Sequence, residues 1–167
     1  MEKTALFPGS FDPFTLGHKV IVDQGLGIFD RIVIGIGANE QKADGQGVGA
    51  QKKRGLLTVD NRRRLIEDIY RDDPRVEVRP YSSLTGEFCR KLDIRFILRG
   101  MRNTVDYEYE RGIMLVNQKL YPEITTVLFF TPPEYVAISS SIIRELVGFG
   151  MDPTELMPNN IDIKNYL

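Results

Sequence analysis

The chain carries one cysteine and one histidine, has almost no net charge, and contains no long apolar run. Each scarcity excludes something. Cys89 alone cannot form a disulfide within the chain, and with His18 as the sole histidine the usual Cys and His ligand sets of a zinc site cannot be assembled. No stretch approaches the roughly 18 apolar residues of a membrane-spanning helix. The start, MEKTALFPGSFDPF, is broken by Pro8, Gly9, Asp12 and Pro13 before an apolar signal segment could form. Together with the single cysteine, which suits a reducing compartment, this predicts a cytoplasmic protein with no membrane partner. Lys and Arg number 22 against 23 Asp and Glu, a net charge of −1, so no global field draws the chain to nucleic acid. Recognition of phosphate therefore has to be local. The GxxxxGK[ST] loop of P-loop enzymes is also missing. Arg62-Arg63-Arg64 forms no nucleic-acid stripe: on a helix, consecutive side chains point about 100° apart, which reads as a solvated or partly paired set.

What is present is an ordinary core. With 167 residues, 42% hydrophobic and 27% charged, the chain has the size and balance of one soluble domain. Apolar runs rich in β-branched residues alternate with amphipathic segments. Strands are predicted over Thr4–Phe7, Arg31–Ile36, Val76–Val78, Phe96–Leu98 and Thr125–Phe130. Helices are predicted over Gly17–Phe29, from an Asp60 N-cap to Arg71, over Leu84–Leu92, Val105–Leu120 and Ser139–Val147, with two short helices after Pro153 and Asn159. Strand–helix alternation requires crossovers, and right-handed crossovers give a Rossmann-like doubly wound α/β fold with a five-stranded parallel sheet. The domain is expected to span 1–167, interrupted by a Gly-rich basic loop over 43–55, ADGQGVGAQKKRG.

Ligands of such sheets bind beyond the C-terminal strand ends, and there the sequence is patterned. Gly9-Ser10-Phe11-Asp12-Pro13-Phe14-Thr15-Leu16-Gly17-His18 runs from the end of the first strand into the first helix. A glycine lets backbone approach a ligand, a hydroxyl follows, and the helix N-terminus welcomes phosphate. His18 is placed to donate to a phosphate oxygen there. Arg99 and Arg102 follow the fourth strand, and guanidinium forks bind phosphate bidentately. The serines 139–141 open a helix, where they offer hydroxyls to an anion or simply cap it. Glu110 could accept from an amine or a ribose hydroxyl, or merely belong to a charged helical face.

The pattern G-S-F-D-P-x-T-x-G-H resembles the T/HxGH signature of the nucleotidyltransferase superfamily. The fuller spelling FPGSFDPFTLGH is similar to the phosphopantetheine adenylyltransferase family. Ile97–Arg102 resembles that family's IRGLR stretch, Asp106–Glu110 its DFEYE stretch, and Ile138–Ser141 its ISSS motif, all in matching order between about Lys3 and Val147. The resemblance implies adenylyl transfer from ATP to 4′-phosphopantetheine by direct in-line attack, with Mg2+ accompanying ATP. It implies catalytic roles for His18 and Ser10. Nucleotide contacts carry over to Ser10, Phe11, His18, Gly100, Met101, Arg102, Glu110 and the run Tyr135, Val136, Ala137, Ile138, Ser139, Ser140 and Ser141. Acceptor contacts carry over to Ser10, Lys42, Thr85 and Arg99. A homohexamer and feedback inhibition by coenzyme A are further implications of the resemblance. Three departures stand out: Ser10 where threonine is commoner, Tyr135 where some members have tryptophan, and a longer loop after Lys42. The last leaves Lys52, Lys53 and Arg54 as alternatives to Lys42, and the insertion reads either as a flap that orders on acceptor binding or as a tolerated surface loop with no role. Another acceptor, such as a nicotinamide or riboflavin phosphate, cytidylyl transfer, or a binding module without turnover are the rival readings.

Overall fold

A computed structural model describes residues 2–38 and 55–167. Five parallel strands, β1 (Thr4–Gly9), β2 (Arg31–Gly37), β3 (Val76–Tyr81), β4 (Phe96–Met101) and β5 (Thr125–Phe130), form one sheet in the order β3-β2-β1-β4-β5. The connecting helices are α1 (Leu16–Gly25), α2 (Val59–Ile69), α3 (Thr85–Lys91) and α4 (Thr104–Leu120), and α5 (Ser140–Gly148) follows β5. Strand order reverses between β1 and β4, which makes the crevice there the place for a ligand.

Period-2 alternation divides the inner strands β1, β2 and β4 between two cores. Ala5, Phe7, Ile32, Ile34, Ile36 and Leu98 pack on one face with Ile21, Leu65, Ile66 and Ile143 of α1, α2 and α5. Leu6, Val33 and Ile97 pack on the other with Phe88, Cys89 and Tyr121. This two-sided burial is why β1 and β2 read as apolar runs.

Several boundaries differ from the sequence reading. Helix α1 stops at Gly25 rather than Phe29: the chain tightens into a turn in which Gly27 N–H donates to the Gln24 carbonyl at 3.1 Å and Ile28 N–H to the Gly25 carbonyl at 2.9 Å, and Gly27 is a poor helix former. The N-cap of α2 is Thr58, whose hydroxyl accepts from the Asn61 N–H at 3.2 Å, while Asp60 sits in the first turn against the positive helix end. Strand β3 continues past Pro80 to Tyr81, which a proline permits on an edge strand. The Ser139 cap on α5 is found as expected, accepting from Ile142 N–H at 3.3 Å. In place of two C-terminal helices there are three 3-10 turns, Thr154–Leu156, Pro158–Asn160 and Ile163–Tyr166, moored by buried Met157 and Ile163. Of the two readings of the arginine run, Arg62 takes the paired one: it is 4% exposed, with Nε 3.0 Å from the Leu57 carbonyl and 3.5 Å from Asp12. No helix among the described residues is long and apolar enough to cross a membrane.

Candidate active site

The crevice opens because β1 and β4 part company. Their pairing is confined to Ala5–Phe96 and Leu6–Ile97, just before Pro8, which has no N–H to give. The Pro8 carbonyl is taken instead by Nη1 of Arg99 at 2.9 Å. Beyond this split lies a cleft of about 370 Å³.

One wall is the loop after β1. Phe11 adopts a left-handed backbone (φ 49°), folding its ring beneath Gly9, where any Cβ would stand 2.7 Å from that ring. Gly9 is therefore needed for close approach. Phe11 is 2% exposed and supports the wall from behind, whereas Ser10 is exposed on the cleft side.

His18 sits three residues after Thr15, the spacing at which an N3 side chain reaches back to the N-cap amide. The Thr15 N–H donates to His18 Nδ1 at 3.0 Å, and the Thr15 hydroxyl lies 3.0 Å from the same atom. An atom that accepts from a backbone N–H carries no proton, so the proton of the neutral ring is on Nε2. Phe11, Phe14 and Phe7 surround the imidazole at centroid distances of 5.2, 5.3 and 6.4 Å. Burial among these rings, and then the positive charge of Arg102, push the His18 pKa down to about 4. At neutral pH the site holds an uncharged imidazole with a fixed donor.

Gly17 brings in the third wall. A Cβ there would stand 2.8 Å from the Ile138 carbonyl, so glycine lets the start of α1 lie directly against the segment before α5. Ser139, Ser140 and Ser141 reach the cleft this way. Their hydroxyls already have work: Ser139 caps α5, Ser140 donates to the Pro13 carbonyl at 2.8 Å, and Ser141 accepts from Arg144 at 3.0 Å.

Across the cleft, α4 supplies carboxylates to the β4 arginines. Glu110 holds Arg99 bidentately, at 2.7 Å to Nε and 2.5 Å to Nη2. Asp106 accepts from Arg102 Nε at 3.2 Å and its N–H at 3.1 Å. Arg99, Glu110 and Pro8 also line an adjoining cavity of about 110 Å³ together with Thr85 and Asn117. One ion pair thus forms the partition between two compartments.

Of the residues singled out from sequence, Ser10, Phe11, His18, Arg99, Gly100, Arg102, Glu110 and Ile138 to Ser141 line the cleft, and Thr85 lines the smaller cavity. Met101 does not: its side chain is 4% exposed, and its carbonyl accepts from Thr131 N–H at 2.8 Å. Tyr135, Val136 and Ala137 lie just outside, in and after the 3-10 turn Pro133–Tyr135. Lys42, Lys52, Lys53 and Arg54, and with them the flap idea, lie outside the described residues. Sequence reasoning missed Arg144, a further cation on the cleft, whose Nη1 donates to the Asp12 carbonyl at 2.6 Å. Its signal was its place one helical turn after Ser141. Asp12 was also missed. Its buried carboxylate accepts the Leu56 and Leu57 amides at 2.9 and 2.8 Å.

A parallel sheet split at its switch point, with this loop and helix entrance, is a ligand crevice of the doubly wound α/β kind. The cytidylyltransferase-like family model matches residues 6–146. A phosphopantetheine adenylyltransferase of Phocaeicola vulgatus is 43% identical over 161 residues, covering 96% of this chain and 99% of that protein. One from Lachnoclostridium phytofermentans is 40% identical over 159 residues, covering 95% and 91%. The chain belongs to the phosphopantetheine adenylyltransferase family. Among solved structures, a putative nicotinate-nucleotide adenylyltransferase from Vibrio parahaemolyticus superposes with a TM-score of 0.64 at 19% identity, over 94% of each chain. A bifunctional NMN adenylyltransferase/ADP ribose pyrophosphatase from Francisella tularensis gives 0.67 at 17% identity over 98% of this chain, which spans about half (47%) of that protein. At such identities these two speak for the fold alone.

Proposed function

We propose that the chain transfers the adenylyl group of ATP to 4′-phosphopantetheine, yielding dephospho-CoA and pyrophosphate in coenzyme A biosynthesis. The observation that carries this reading is His18, its Nδ1 fixed by the Thr15 N–H, on a cleft shared with Ser10 and Arg99. An acceptor phosphate oxygen attacks the α-phosphorus, one P–O bond forms, the bond to the β-phosphate bridge breaks, and pyrophosphate departs. The acceptor is already anionic, so no strong base and no covalent enzyme intermediate are needed. Catalysis reduces to alignment and to donors aimed at the charge that grows on the α-phosphate oxygens.

In this reading the wider cleft takes ATP along Ser10, His18, Gly100, Arg102, Glu110 and the Ile138–Ser141 turn, with Arg144 added. Met101 contributes through its backbone. The smaller cavity, with Thr85 and Arg99, takes the acceptor. The carboxylates of the cleft, Asp106 and Glu110, are each paired with an arginine. That donor set fits Mg2+ arriving on ATP, liganded mainly by phosphate oxygens and water, and neutralising phosphate charge there. A homohexamer is proposed as the working form, in the cytoplasm, with coenzyme A as an inhibitor that shares the acceptor's chemistry. The assay is pyrophosphate release from ATP with 4′-phosphopantetheine, nicotinamide mononucleotide or riboflavin phosphate offered separately. Release is expected with the first alone. Release with another acceptor instead, or with none, rejects the proposal.

A further inference from the structure

The Arg99–Glu110 pair stands where the two compartments meet, and its geometry bears on how they communicate. The side chains are 23% and 12% exposed, so solvent screens them poorly. Glu110 occupies the side-on fork of the guanidinium, and the Pro8 carbonyl takes a third donor. A guanidinium has five N–H donors and its preferred anion partner is bidentate. As it stands, the fork is filled by an internal carboxylate and the pair is neutral. A dianionic phosphate entering the smaller cavity would meet a neutralised arginine with a negative oxygen beside it.

We propose that Glu110 is an internal competitor for Arg99 and thereby couples the two compartments. This rests on the reading that the larger compartment takes the nucleotide and the smaller the phosphorylated acceptor. When a phosphate takes the Arg99 fork, the Glu110 carboxylate is released toward the larger cleft, where it needs donors. Hydroxyl or amine groups of a nucleotide supply them. Each ligand therefore removes the partner that opposes the other, and the affinity gain is reciprocal, as linkage requires. No shift of the backbone is needed, because the residues changing partners already line both cavities. Glu110 is in this sense a positioning residue: it controls when the Arg99 fork is open.

The test uses isothermal titration of the intact protein with 4′-phosphopantetheine, alone and with the unreactive α,β-methylene analogue of ATP at saturation. In the unaltered protein the analogue is expected to tighten acceptor binding by on the order of tenfold. In Glu110→Gln, acceptor alone should bind about as tightly as it does to the analogue-loaded unaltered protein, and the coupling factor should fall to near one. Glu110→Asp, which keeps the charge, should retain coupling. Weaker acceptor binding in Glu110→Gln, or coupling left intact, overturns the proposal. Arg99→Ala separates failure of the underlying reading: if it leaves acceptor affinity unchanged, the acceptor does not use Arg99 at all. Thermal melts of each variant verify folding, and should Glu110→Gln unfold, Glu110→Asp and Arg99→Lys carry the same comparison of coupling factors.

Discussion

The Thr15 backbone N–H donates to Nδ1 of His18 at 3.0 Å, and that bond decides what the only imidazole can do. A capping partner that must accept cannot be protonated at Nδ1, so the ring is a donor through Nε2 and nowhere else. A neutral donor suits a site where negative charge grows during reaction, since it needs no proton transfer to act.

Two measurements follow for His18. Its NMR titration should have a midpoint near 4, far below the ordinary 6.5, with Nε2 protonated above it. In the window between those values the unfolded chain binds a proton that the folded chain refuses. This contribution to stability is therefore complete above about 6.5 and is lost as pH falls toward 4. His18→Ala should reduce kcat by roughly 10²–10³-fold with a small change in KM, because the donor acts selectively on the transition state. Unaltered turnover would take His18 out of the mechanism.

Helix α4 carries a different expectation. None of its 17 residues is fully buried, and Val105, Tyr109, Val116 and Leu120 stand exposed at helical spacing, at 75, 69, 57 and 54%. An apolar stripe of that size on a lone protomer calls for a partner, and the proposed hexamer supplies a second copy. Val116→Glu should convert the assembly to smaller species by size-exclusion chromatography with light scattering, while far-UV circular dichroism stays unchanged. A wild-type mass in the variant, or a monomeric parent protein, would contradict this.

How much of this was legible beforehand depended on range. The inner strands β1 and β2 could be read because burial on both faces makes them apolar runs, the edge strands from short β-branched stretches between helical segments, and the Gly9–His18 loop because its spacing is local chemistry. What escaped were pairings between distant segments. The arginine run 62–64 reads as solvated or partly paired, and the sequence does not show that Arg62 is the one buried, against Asp12, fifty positions away in the chain. Glu110 and Arg99 were placed on different ligands, and only the fold shows that they hold each other. Arg144 shares a helical face with Ser141, but its tie to the Asp12 carbonyl joins segments 132 positions apart and leaves no local signal. The end of α1 differs because apolar periodicity continues through Leu26 and Phe29, whereas the backbone around Gly25 and Gly27 tightens into a turn.

Asp12 and Arg62 give a stability prediction. The carboxylate satisfies two amides at the entry to α2 and lies beside a guanidinium 5% exposed at its side chain. Asp12→Ala strips Arg62 of that charge and leaves the Leu56 and Leu57 amides without their acceptor. Removal of one member of a buried pair costs about 3–5 kcal/mol, so urea unfolding should show a loss near the lower end. Asp12→Asn keeps one acceptor oxygen and should lose less. Equal stability of Asp12→Ala and the parent would mean that water replaces the carboxylate at little cost.

Gly17 ties the two halves of the cleft, and its substitution separates packing from chemistry. A Cβ at this position would stand 2.8 Å from the Ile138 carbonyl, a backbone atom that cannot rotate away. Gly17→Ala must therefore push the start of α1 from the Ile138–Ser141 turn. Ordinary helix propensity argues the other way, since alanine is favoured over glycine by about 1 kcal/mol in a helix. Overpacking costs typically 1–3 kcal/mol, so the balance is a net loss of about 1 kcal/mol by urea unfolding. The functional loss should be larger than the stability loss. His18 and the serines lie on opposite sides of that contact, so KM for ATP should rise and kcat should fall together, the mark of a displaced wall rather than of a deleted donor. Gly148→Ala is the matched control: it also lies in a helix, but nothing is within 4 Å of its would-be Cβ. It should be neutral or stabilising by a few tenths of a kcal/mol, with kinetics unchanged. If Gly17→Ala behaves like Gly148→Ala in both measurements, the close approach at Ile138 has no bearing on the site.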